Sequence, residues 1–140
     1  MGFGLWALAA AREAVAVLVR RGSKLVVTDY IVDETVTLAR AHRSDRVGLR
    51  ILDLIEQSVG IRVERIDVAR FDATKAYFRK HADQAYSFTD CSSFVVMREL
   101  RIRKALTTDG HFTEAGFERL LSDPTNSSST TRGRPSPSRR

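Results

Sequence analysis

The chain carries one cysteine, Cys91, so no internal disulfide can brace it. Cys91 lies inside an apolar run and reads as a buried structural thiol, which suits a reducing, cytoplasmic setting. Long hydrophobic runs are also lacking. The longest, residues 5–19, is broken by Arg12 and Glu13 and falls short of the roughly 20 residues that a spanning helix needs. With no basic residue ahead of that run, it makes a poor signal peptide. A Gly-rich phosphate loop, zinc-type Cys/His spacing and internal repeats are absent too, which removes P-loop, zinc-module and solenoid readings.

What is present is ordinary for a single soluble domain: 140 residues, 43% apolar and 29% charged. The net charge of +6 suggests a nucleic-acid partner until it is divided along the chain. Residues 124–140 hold four arginines and no acid, and removing them leaves only +2 for the body. That Ser/Pro/Arg-rich stretch has nothing apolar to bury and is expected to be a disordered tail after a domain spanning 1–123.

Helical and strand-like apolar runs alternate along the body, which predicts an α/β layered domain with a parallel sheet. Helices are expected from about Leu5 to Arg21, Asp29 to Ala41, Arg46 to Ser58 and Val68 to His81, the last anchored by Phe71, Tyr77 and Phe78, with another following Ser87. Strands are expected at Lys24 to Thr28, Ile61 to Ile66, Lys104 to Thr107 and Phe117 to Leu121. Gly22 closes the first helix.

Two acids then stand out. Asp90 falls in the first turn of an apolar helix, and Asp109 at the end of the short strand that follows. Withdrawing an ionised carboxylate from water costs several kcal/mol on the order of the stability of a whole domain, so a pair facing the core invites a cation. Each also has a structural explanation. Ser87-Phe88-Thr89-Asp90 matches a capping box, and Asp109-Gly110 suits a plain turn. Glu34 lies at the margin of the apolar side of its helix, where it either reaches solvent or leans over a cleft. Asp33 belongs to the solvated face, Asp29 to the helix start, and His111 reads as a packing or capping residue beside the turn.

Three segments carry a family resemblance: Val26-Val27-Thr28-Asp29-Tyr30-Ile31-Val32-Asp33-Glu34, Ser87-Phe88-Thr89-Asp90-Cys91-Ser92-Ser93-Phe94, and Ala105-Leu106-Thr107-Thr108-Asp109-Gly110-His111-Phe112. Over roughly residues 20–121 the chain resembles the PIN-domain ribonucleases, in particular the VapC-type toxins of bacterial toxin–antitoxin pairs. The resemblance implies a three-layer α/β/α fold and an endoribonuclease that hydrolyses RNA phosphodiester bonds with Mg²⁺ or Mn²⁺. It implies Glu34, Asp90 and Asp109 as active-site and metal-site carboxylates, Asp90 and Asp109 being the direct ligands and Glu34 binding through water or positioning the nucleophile, with Thr107 as a supporting hydroxyl. Oxygen-only ligands suit those ions. It further implies a small antitoxin protein as partner and a homodimer, for which Trp6 and Leu8 could supply an apolar surface. Arg98, Arg101, Arg103 and Lys104 could guide an RNA backbone.

The chain departs from the family pattern at its start. PIN domains usually open with a central strand that delivers an aspartate in an Asp-Thr/Ser motif, and no acid precedes Glu13. The expectation is therefore a PIN-like domain lacking its first strand and one acidic ligand. Three readings stay open: an active ribonuclease toxin, a catalytically inactive PIN-like protein that binds an antitoxin or RNA without cleavage, and an unrelated α/β interaction module.

Overall fold

The computed structural model describes residues 14–43 and 45–121. The expected helix start over residues 5–13, the missing first strand and its acid, the apolar surface at Trp6 and Leu8, and the tail at 124–140 lie outside the described residues. Residues 14–20 are helical (α1) and end at Gly22, whose φ of +78° places it in the left-handed region. Gly22 N–H reaches the Val19 carbonyl and Ser23 N–H the Leu18 carbonyl, a paired closure that a glycine enters without steric cost.

From there the order is β1 (Leu25–Thr28), α2 (Asp29–Ala41), α3 (Asp45–Gln57), β2 (Ile61–Glu64), α4 (Val68–Lys80), α5 (Phe88–Glu99), β3 (Lys104–Ala105), α6 (Gly110–Glu114) and β4 (Glu118–Arg119). β1 and β2 pair in parallel with Leu25 opposite Ile61 and Thr28 opposite Glu64. β3 and β4 form a second parallel pair. The α/β class with parallel strands is thus as the periodicity suggests, and among the described residues the strands form two parallel pairs. Among the described residues no strand joins them, and the resemblance places the first strand of a PIN domain between them.

Several elements stop short of the lengths that pattern alone suggests. β2 ends at Glu64 because the next inward amide, Ile66 N–H, donates to the side chain of Asp29 at 3.0 Å instead of to a strand. Asp29 also accepts from Tyr30 N–H, so it ties the end of β1 to the entry of α4, while Thr28 is the residue that caps α2. β3 spans two residues because Thr107 N–H turns back to the Ala105 carbonyl.

The core is aromatic and belongs to the second half of the chain. Tyr86, Cys91, Phe94, Met97, Ala105 and Phe112 are buried together, with Tyr77, Ile102, Ala115 and Phe117 packed against them. Phe94 is the hub, with rings of Tyr86, Phe112 and Phe117 at 5.1, 4.9 and 5.6 Å. The edge-to-face contacts among them each add roughly 0.5–1.5 kcal/mol beyond area burial. Of the anchors expected on α4, Tyr77 does reach this core, but Phe71 and Phe78 do not. Both are exposed and lie edge-on to Phe88 of α5. The α4 face turned to the core has instead the fully buried Thr74, whose hydroxyl donates to the Arg70 carbonyl at 2.7 Å.

α4 packs on α5, α2 on α3, and α2 also touches α5, which links the two strand pairs through helices. Ala39 and Gly48 are buried at the α2–α3 seam, with an added Cβ at Gly48 falling 3.6 Å from Ala39. Among the described residues no helix is long and apolar enough to cross a membrane.

Candidate active site

Ser87 opens α5 with a complete capping box. Its hydroxyl accepts from Asp90 N–H at 3.0 Å, and Asp90 Oδ2 accepts from Ser87 N–H at 3.0 Å. The cap fixes the carboxylate in position at the start of the helix. Beyond β3, Thr107 Oγ1 accepts from Asp109 N–H at 3.0 Å. Asp109 in turn caps the short α6, its Oδ1 accepting from His111 N–H at 2.9 Å. Both structural explanations of these acids are therefore realised. Each cap uses one carboxylate oxygen and leaves the other outside it.

The two caps also meet. His111 Nδ1 lies 3.2 Å from Asp90 Oδ2 and 3.4 Å from Asp109 Oδ1. Candidate ligand atoms of Asp90, Asp109 and His111 all fall within 4.8 Å of one another. The side chains are partly shielded, at 14%, 27% and 31% exposure. Two hard oxygen donors held this close by backbone amides fit a divalent cation, whose charge would offset the repulsion between them.

Comparison with known proteins bears on this geometry. No family model matches the chain. Among curated proteins, the 23S rRNA-specific endonuclease VapC20 of Mycobacterium tuberculosis, from strains CDC 1551 and H37Rv, is 30% identical over 93 residues. The match covers 66% of this chain and 70% of that protein. The crystal structure of Mycobacterium tuberculosis VapC20, described as a sarcin-ricin loop cleaving toxin, superposes with a TM-score of 0.63 over 67% of this chain and 72% of that one. This chain belongs to the VapC-type PIN-domain toxins.

Within this VapC-type chain, the structure brings together two of the three acids singled out by sequence. Asp90 and Asp109 converge from opposite ends of the α5–β3 unit. Glu34 is exposed on α2 and does not join the group formed with His111. Arg98, Arg101, Arg103 and Lys104 are exposed, and Arg98 spreads over the Tyr77 ring at 5.4 Å while reaching the Ala115 carbonyl. Arg101 closes α5 in the left-handed region at φ 56°, with Ile102 N–H returning to the Met97 carbonyl at 2.8 Å.

Two features escaped the sequence reading. One is the direction of the His111 ring, expected only to pack or cap beside the turn: it is brought to both acids because the Asp109 cap turns the chain back at once, and it rests against Tyr86 at 5.5 Å. The Asp-Gly-His spacing signals the turn but not the ring's direction. The other is an ion network away from the acids. Arg70 donates through Nε and Nη2 to Glu99 at 3.0 and 2.8 Å, and through Nη1 to Glu64 at 2.7 Å and the Arg65 carbonyl at 2.9 Å. Glu64 is buried at the end of β2 and also pairs with Arg62. Hydrogen bonding to Glu99 and then Glu64 raises the Arg70 pKa further, and the same bond holds the Glu99 carboxyl below its ordinary range. These residues line a surface depression that does not include Asp90 or Asp109.

Neighbours of the acids have settled protonation. Burial first, and the Asp90 charge second, push the Cys91 thiol up, so it stays protonated at neutral pH. Burial likewise raises the Tyr86 hydroxyl.

Proposed function

We propose that this chain is a metal-dependent endoribonuclease, the toxin of a toxin–antitoxin pair, acting in the cytoplasm on RNA and held in check by a small antitoxin protein. The observation that carries the reading is the convergence of Asp90 and Asp109 in a chain of VapC type. Asp90 and Asp109 are the residues that hold Mg²⁺ or Mn²⁺, and Glu34 on α2 acts through water or by positioning the nucleophile. When bound, such an ion supplies an activated water and neutralises charge on the scissile phosphate.

The chain's own contribution is positional. Ser87 and Thr107 fix the backbone at each acid, and the amide of His111 orients the Asp109 carboxylate. The basic residues Arg98, Arg101, Arg103 and Lys104 offer phosphate contacts that would weaken as salt rises. VapC20, by its description, is specific for 23S rRNA and cleaves the sarcin-ricin loop. That stem-loop is the first substrate to try. Pairing of two toxin chains as a homodimer belongs to the same reading.

The test is cleavage of a synthetic sarcin-ricin stem-loop by the full chain with Mn²⁺ or Mg²⁺, beside Asp90→Asn and Asp109→Asn. Asn preserves the size of each side chain and an accepting oxygen for the cap but removes the charge. Cleavage should fall at least about 100-fold in either variant, with helical content unchanged. Cleavage that survives both substitutions would overturn the assignment. Intact RNA with wild type and every divalent ion would leave the inactive binding module as the better reading.

A further inference from the structure

We propose that His111 completes the metal site, its Nδ1 ligating the ion together with Asp90 and Asp109, and that this nitrogen tilts the site toward Mn²⁺ over Mg²⁺. The inference rests on the metal-dependent reading of the same site. Around an octahedral ion with bonds of about 2.1 Å, adjacent ligand atoms lie about 3.0 Å apart and opposite ones about 4.2 Å. His111 Nδ1 stands 3.2 and 3.4 Å from its two carboxylate neighbours, and the whole triad lies within 4.8 Å. The two His111 distances lie close to the separation of adjacent ligands, so the nitrogen stands where a shared ion would meet it beside each carboxylate.

The ring has little freedom to leave. Its backbone amide is fixed on Asp109 Oδ1, its edge rests on Tyr86, and the next residue, Phe112, is buried against Phe94. With hydrogen on Nδ1 the imidazole bridges the two acids as a donor. With hydrogen on Nε2 it presents a lone pair toward the same two acids, and small shifts of the carboxylates would let an ion take the place of that hydrogen. Magnesium keeps to oxygen ligands and water, whereas a nitrogen donor raises affinity for first-row transition ions. A site of two carboxylates and an imidazole should therefore rank the two ions differently from one built of carboxylates alone.

The direct readout is pulsed electron paramagnetic resonance of Mn²⁺ bound to the full chain, which registers a directly bonded ¹⁴N. We expect a ¹⁴N coupling in the wild type that vanishes in His111→Gln. Mn²⁺ affinity should fall about tenfold in that variant, and Mg²⁺ affinity by less than about threefold. Bound Mn²⁺ that depends on Asp90 yet shows no ¹⁴N coupling would overturn the proposal and leave the metal site standing. Equal loss of both ions in His111→Gln would also overturn it. If Mn²⁺ binding is absent, or is unchanged in Asp90→Asn, the metal-dependent reading itself fails, and this inference with it. The wild-type spectrum decides the question even if the variant folds poorly.

Discussion

Replacing Arg70 by Met tests whether the buried ion network holds β2, α4 and α5 together. The Arg70 side chain is 13% exposed and Glu64 8%, so truncating the cation leaves a carboxylate in a nearly closed site. Removing one partner of a buried pair typically costs 3–5 kcal/mol. Arg62 still contacts Glu64, but from a side chain 68% exposed, where pairing is screened and weak. The expected loss is therefore about 2–3 kcal/mol. In urea unfolding followed by circular dichroism, at an m-value of about 1.5 kcal/mol/M, the midpoint should drop by roughly 1.5 M with m unchanged. Arg70→Met combined with Glu64→Gln removes the stranded charge, and the double variant should be more stable than the sum of the single losses by about 1–3 kcal/mol. An Arg70→Met midpoint indistinguishable from wild type, or strict additivity in the cycle, would refute the reasoning.

Ser87→Ala removes the hydroxyl that caps α5 and should cost about 1 kcal/mol, a fall of roughly 3–4 °C in Tm by calorimetry; an unchanged Tm would mean that the capping box contributes nothing. Stability should also decline with pH above about 9. The ordinary values for Cys91 and Tyr86 are 9.0 and 10.0, and burial raises both in the folded state. The unfolded chain then releases these protons first, the folded state binds more, and unfolding free energy falls as pH climbs through that window. Cys91→Ala should flatten the early part of the decline in urea midpoints measured between pH 7 and 11; an identical slope in wild type and variant would count against the assignment.

The elements were largely legible because their signals are local. The Ser87-to-Asp90 box and the glycine closure at Gly22 depend on neighbours three to five residues apart, and the structure shows both. The end of β2 is not legible because a distant side chain sets it: Ile66 leaves the strand for Asp29, 37 positions earlier. Phe71 and Phe78 looked like core anchors since size and hydrophobicity say nothing of which helix face meets Phe94. At the candidate site, Asp90 and Asp109 were visible as acids on apolar elements, but the ring of His111 was not, since its direction depends on Tyr86 and the buried Phe112. Arg70 was invisible for the same reason, its carboxylate partners lying 6 and 29 positions away.

The division of the strands into two pairs has a consequence for how the molecule opens. Among the described residues, every buried apolar side chain except Ala39 comes from Tyr86 onward, so the aromatic nucleus and both capped acids belong to one cooperative unit. Glu34 rides on another, built from β1, α2, α3 and β2 around a thin seam. Local opening free energies follow buried contact, so amide exchange is expected to be faster in α2 and α3 than in α5. Asp90 and Asp109 thus sit on the elements that carry the buried aromatic nucleus, and Glu34 on a helix outside it.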